Sequence, residues 1–178
     1  SVTLEYEQTE WQVSELLAAL DASGMPVIFT MPNADTNGRI IQSLIADYSQ
    51  MHSSAYIVDN LGTCGYFSLM TVCAAVVGNS SSGIIEAPSF GLPVVNIGTR
   101  QRGRVRAANV IDVGYSRLEI LEGIRTTVQT QFRESLQGLV NPYGSGQASD
   151  QIVERLKNIH LDERLASKRF YDISRESS

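Results

Sequence analysis

The chain alternates between two hydrophobic periods. Short apolar runs recur between stretches whose apolar residues return every three or four positions, the signature of one buried helix face. Trp11, Val13, Leu16, Leu17 and Leu20 predict a helix over residues 6–20, stopped by Gly24. A strand follows at Pro26–Thr30, then a helix over 38–49 with Ile40, Ile41, Leu44, Ile45 and Tyr48 on one stripe. Ser54–Val58, Ala75–Val77, Pro93–Ile97 and Asn109–Val113 read as further strands. Helices are expected at Tyr66–Cys73, Ser81–Phe90 (ended by Gly91), 116–136, Ala148–Ile159 and 162–172.

Strands of about five residues, apolar on both faces and separated by helices, imply a parallel sheet covered on both sides. The expected architecture is α/β, a doubly wound parallel sheet of Rossmann-like type, with residues 1–178 as one domain. No repeat or low-complexity segment interrupts it. The chain opens in a helix, whereas such domains open with a strand. The expectation is therefore that it is the second part of a larger protein, cut just after a first strand.

Composition narrows the function classes. Fourteen basic and nineteen acidic residues give a net charge of −5, unlike a general nucleic-acid binder, whose domain pI exceeds about 9. No apolar run approaches the ~20 residues of a membrane span. Neither nucleic acid nor a membrane is expected as a partner, and a cytoplasmic location is. Ser1–Glu5 has neither the basic nor the apolar region of a signal peptide. Cys64 and Cys73 are the only cysteines and are expected as buried thiols of a reducing compartment. His52 and His160 are the only histidines, and no HExxH or Cys/His cluster is present. No metal or cofactor is expected.

Ligands of open α/β sheets bind at the carboxyl ends of the strands, which directs attention to four loops. Gly78-Asn79-Ser80-Ser81-Ser82-Gly83 leaves one strand and opens a helix. Its small residues and free N–H groups suit an anion, or simply a helix cap. It is no Walker A loop, since Ile84-Ile85 stand where Lys-Ser/Thr would be. Glu86, one turn further, suits a ribose diol or merely complements the helix dipole. Gly98–Arg106 carries four arginines in seven residues, whose guanidinium forks suit a diphosphate or only solvent. Met31–Gly38 suits a turn, or places Asn33 against a ligand. None of the four supplies an obvious nucleophile or general base.

Together these loops resemble one family, the hydrolysing UDP-N-acetylglucosamine 2-epimerases, over nearly the whole chain. The resemblance rests on Val77–Gly83, on Glu86-Ala87-Pro88-Ser89-Phe90-Gly91, and on Pro93–Arg104. Pro32-Asn33-Ala34-Asp35, Tyr143-Gly144-Ser145-Gly146 and the opening Val2-Thr3 fit the same family. It implies one half of a glycosyltransferase-B-like two-domain fold, this chain being the nucleotide-binding, carboxyl-terminal half. The implied chemistry eliminates UDP to give a 2-acetamidoglycal, to which water adds, yielding the 2-epimeric sugar, N-acetylmannosamine in the simplest case. By position, Ser80 and Ser81 would hold the diphosphate and Glu86 the ribose hydroxyls. Arg100 would line the nucleotide site, and Asn33 would contact the nucleotide. Asn60 stands where the animal enzymes carry a nucleotide-contacting histidine, a departure at a UDP-binding position. The family's acidic catalytic residues lie in the amino-terminal domain.

The expected partner is thus a UDP-sugar, either UDP-GlcNAc or a diacetamido-trideoxy sugar on a path to a sialic-acid-like nonulosonate. A homodimer is compatible with the sequence. The isolated chain is expected to be inactive. Two other readings stay open: a non-hydrolysing 2-epimerase, which keeps UDP on the sugar, and a non-catalytic UDP-sugar-binding module.

Overall fold

The structure, a computed structural model, describes residues 7–30, 38–163 and 167. Its contacts divide into two compact units, Ser1–Tyr143 and Gly144–Ser178. The first unit runs α1 (Thr9–Ser23), β1 (Val27–Thr30), α2 (Gly38–Met51), β2 (Ala55–Val58), α3 (Gly62–Val72) and β3 (Val76–Gly78). It continues with α4 (Ser81–Ile85), β4 (Val94–Ile97), β5 (Val110–Val113), α5 (Arg117–Thr127) and α6 (Thr130–Ser135). The second unit holds α7 (Ala148–Asn158), along which Ile152, Val153 and Leu156 are exposed. The terminal helix expected over 162–172 falls almost wholly outside the described residues. Among the described residues no helix is long and apolar enough to cross a membrane.

All strand pairs are parallel, as the apolar runs predict. They form two sheets, β1-β2 and β3-β4-β5. Val27 pairs with Ala55, and Val76 with Val94, itself opposite Val110. One core serves both sheets. Phe29 of β1, Val95 and Ile97 of β4, Leu20 of α1, Ile45 of α2 and Ile120 of α5 pack in a single cluster. Helix α1 packs on both α5 and α2. Gly24 ends α1 in the left-handed region at φ 66°, its N–H bonding to Asp21 O at 3.1 Å. Burial on both faces, expected of every strand, is complete only in the central β4. In the outer pair, Ile28 and its register partner Tyr56 are exposed.

Three helices depart from the sequence pattern for local reasons. Helix α3 starts at Gly62, before the first aromatic of its apolar run. The stretch expected as one helix over Ser81–Phe90 is α4 followed by a 3₁₀ turn at Ala87–Phe90. Pro88 there has no N–H and its ring opposes continuation of the α ladder. The long helix expected over 116–136 is broken into α5 and α6 at Gln129, which is extended at ψ 131°. Thr126, Thr127 and Val128 form a β-branched run before the break. Both threonine hydroxyls donate back to helix carbonyls, Glu122 O at 2.9 Å and Ile124 O at 2.6 Å.

The expectation of two buried thiols is not met. Cys64 is exposed and Cys73 is half-buried, with burial raising its thiol pKa. Cys64 lies in the first turn of α3.

Gly123 shows how tightly α5 sits on its sheet. A Cβ there would come 2.9 Å from Val95 Cγ1 and 3.1 Å from Val113 Cγ1. Alanine would gain at most about 1 kcal/mol in helix propensity, against about 1–3 kcal/mol for overpacking a filled core. Gly123→Ala is therefore expected to lower stability, read as a lower midpoint in urea unfolding at unchanged slope.

Candidate functional site

The serine loop starts where β3 ends. Gly78 has φ 146°, a conformation L side chains rarely adopt, and turns the chain toward α4. Gly83 lets α4 approach β4, since a Cβ there would lie 2.8 Å from Val94 Cγ1. Ser80 is the N-cap of α4, its Oγ accepting from Ser82 N at 3.3 Å. Cap and ligand contact are compatible, because that bond leaves the Ser80 O–H proton available as a donor. Ser81 is half-buried in the first turn. Glu86 follows one turn later, its N–H bonded to Ser82 O at 3.0 Å. Its Oε2 is buried and has no hydrogen-bond partner among the described residues, an acceptor without a protein donor.

The arginine loop starts where β4 ends. Gly98 (φ 74°) lies against Tyr115 so closely that a Cβ would overlap the ring. Tyr115 OH accepts from Thr99 N at 3.3 Å. Arg100, Arg102 and Arg104 are exposed. Arg106 is half-buried and committed to the fold. Its Nε reaches Asp112 Oδ2 at 2.9 Å and Oδ1 at 3.1 Å. Its terminal nitrogens donate to Arg104 O at 2.9 Å and Gln101 O at 3.2 Å. Asp112 also accepts from the buried Asn96 Nδ2 at 2.6 Å. Of the four arginines, this one shapes the loop.

A third feature lies at the ends of β1 and β2. A shallow cavity, open to solvent and of about 490 Å³, is lined by Thr30, Val58, Asp59, Asn60, Thr63 and Tyr66, among others. Asn60 Oδ1 accepts from Gly62 N at 2.8 Å, an Asx turn that opens α3.

Two side chains join these features. Tyr66 lines the cavity and hydrogen-bonds through its OH to Ser82 Oγ at 2.8 Å. Gln101 of the arginine loop donates through Nε2 to Asn79 O of the serine loop at 2.7 Å. Asn60, Ser80 and Arg100 thus stand on connected loops, with Ser81 opening α4 and Glu86 ending it one turn further. Asn33 lies outside the described residues. Sequence reasoning singled out neither Tyr66 nor Gln101 as a connector. Tyr66 reads there as one more apolar helix residue, and Gln101 as a polar residue between arginines.

The architecture is a doubly wound α/β unit whose polar, small-residue loops gather at the carboxyl edge of parallel strands. A family profile for UDP-N-acetylglucosamine 2-epimerase matches residues 2–157, and the chain belongs to that family. It is 39% identical over 175 residues to the hydrolysing GDP/UDP-N,N'-diacetylbacillosamine 2-epimerase of Campylobacter jejuni, spanning 97% of this chain and 45% of that protein. It is 34% identical to the hydrolysing UDP-N,N'-diacetylbacillosamine 2-epimerase of Legionella pneumophila, spanning 94% of this chain and 43% of that protein. Among solved structures it is similar to the UDP-GlcNAc 2-epimerase of Neisseria meningitidis bound to UDP-GlcNAc. That likeness has TM-score 0.61 and 25% identity, covering 82% of this chain and 40% of that one. The chain spans less than half the length of the curated relatives it matches.

The Asp112 brace yields a direct test. Removing its carboxylate in Asp112→Ala strands the buried Asn96 amide and the Arg106 guanidinium. A cost of about 1–3 kcal/mol is expected, the desolvation penalty of an unsatisfied polar group, read by denaturant unfolding.

Proposed function

We propose that this chain is the UDP-binding, carboxyl-terminal half of a hydrolysing 2-epimerase acting on a UDP-2-acetamido sugar. Ser80 and Ser81 hold the diphosphate, Glu86 takes the ribose hydroxyls, and Arg100 lines the nucleotide site. Asn33 and Asn60 contact the nucleotide. The observation that carries the reading is the pair of bridges, Tyr66–Ser82 and Gln101–Asn79. They place the cavity, the serine loop and the arginine loop in one continuous surface.

In the proposed reaction the C–O bond to the leaving diphosphate breaks as the C2 proton is removed, giving UDP and a 2-acetamidoglycal. Water then adds across the glycal, its oxygen to C1 and a proton to C2 on the opposite face, releasing the 2-epimeric sugar. The residues of this chain bind and orient UDP and offset the charge on its diphosphate as it departs. The carboxyl groups that move protons belong to an amino-terminal partner domain in this proposal, so the isolated chain does not turn over. The relatives named as hydrolysing diacetylbacillosamine epimerases support the hydrolysing branch and a diacetamido-trideoxy sugar as substrate. The division of the strands into two sheets over one core also fits this reading. A further parallel strand, supplied by the preceding polypeptide, would join β1 to β3 and lead into α1 by a right-handed crossover.

Calorimetric titration of UDP is the test. Saturable binding is expected, and Arg100→Ala is expected to weaken it by about 1–3 kcal/mol, the scale of a charge-assisted contact. An unchanged affinity would remove Arg100 from the site. In the full-length protein, product analysis of UDP-GlcNAc and its diacetamido counterpart decides the chemistry. Free UDP with free amino sugar supports the proposal. UDP retained on the sugar indicates the non-hydrolysing reaction, and binding without turnover indicates a binding module.

A further inference from the structure

Gln101 is buried where its neighbours are not. It is 3% exposed, between Arg100 and Arg102, both at the surface. Its backbone carbonyl accepts from Arg106 and from Arg104 N, at 3.2 and 3.3 Å. Its Nε2 donates to Asn79 O at 2.7 Å. A carbonyl can only accept, so chemistry fixes which end of the amide faces it. Gln101 Oε1 is buried and has no partner among the described residues. Among the described residues, the link to Asn79 is the one bond shown for this side chain.

That link has a geometric consequence. The Asn79–Ser80 peptide is planar and trans, so its C=O and N–H point in opposite directions. Holding Asn79 O toward Gln101 turns the Ser80 N–H away from the arginine loop's buried side. The plane turns on Asn79 ψ and Ser80 φ, and Ser80, the N-cap, is extended at φ −69°. Gln101 adds a tie from outside the loop, and Arg106, itself braced by Asp112, holds the Gln101 backbone in turn.

We propose that Gln101 is a positioning residue for diphosphate binding. It fixes the Asn79–Ser80 peptide before ligand arrives, so that the Ser80 N–H and hydroxyl are already presented to the phosphate oxygens. The inference rests on the proposed UDP site and adds to it the residue that pre-organises the loop.

The test compares UDP with uridine, the latter measured by competition, in the wild type and Gln101→Met, which keeps side-chain length but loses the donor. UDP affinity is expected to fall about ten- to a hundred-fold, the equivalent of one lost charge-assisted bond, with uridine affinity unchanged. Equal losses for both ligands would mean general loosening and would overturn the proposal. Equal UDP affinity in the two proteins would overturn it too, leaving the site itself intact. If the wild type binds neither ligand, the underlying reading of the site fails, and this inference with it. A second measurement needs no variant. The Ser80 amide in ¹⁵N relaxation is expected to be as ordered in the free protein as with UDP. A mobile Ser80 amide that orders only on binding would overturn the proposal even if Gln101→Met fails to fold.

Discussion

A parallel strand pair cannot be closed by a tight turn. The chain must leave each strand, cross the sheet and re-enter from the same end, which takes a dozen or more residues. Within each sheet the strands' carboxyl ends therefore lie at one edge, and the Tyr66–Ser82 bond brings the two sheets' loops together. Thr30, Val58, Gly78 and Ile97 end β1 to β4. The cavity, the serine loop and the arginine loop begin at those residues or just beyond them. The gathering of polar loops is thus a product of topology. What the individual residues add is the way the loops are held.

Burial of apolar surface cannot hold them, because the loops are built from Gly, Ser, Asn and Arg. The structure ties them with buried polar side chains instead. Asn96, Gln101 and Asn109 are at most 3% exposed. A buried amide costs free energy unless bonded, and each of these bonds through its NH2 group, while Gln101 Oε1 and Asn109 Oδ1 have no partner among the described residues. Asn96 takes Asp112 and Gln101 takes Asn79 O, while Asn109, where β4 and β5 begin at the opposite edge, takes Leu92 O at 2.7 Å. Asn141 plays a similar part, donating to Ile85 O and Ser89 Oγ at 2.8 and 2.7 Å. These bonds are directional, which apolar packing is not. They set the orientation of a peptide plane as well as its position.

The strands were legible because five short apolar runs, rich in valine and isoleucine, leave little alternative to a covered parallel sheet. Gly24 and Gly91 were legible as helix stops, and both are left-handed. Other features depend on partners distant in the chain. The pairing into two sheets follows from which strand edges meet, information that periodicity does not carry. The break after Thr127 needed hydroxyls bonding back to the helix, a choice a threonine makes only in context. The fate of the four arginines was equally hidden. Arg100 and Arg106 look alike in sequence, yet only Arg106 is shown braced against Asp112, and that depends on β5 running beside β4.

Asn60 carries the last step of the argument. Its Oδ1 accepts from Gly62 N and keeps a second lone pair, so in the proposed site its amide can offer a ligand both N–H donors and one acceptor position. Uracil presents carbonyl oxygens, but so does guanine, so Asn60 alone cannot choose between the two bases. An imidazole at this position, as in the animal enzymes that the sequence resembles, would present one donor and one acceptor when neutral. In the proposed site, base selection falls also to the other polar residues lining the same space, Asp59 and the half-buried Tyr66 among them. Tyr66 is already shared with Ser82. A base seated against Tyr66 would be coupled through that single bond to the loop proposed to hold the phosphates.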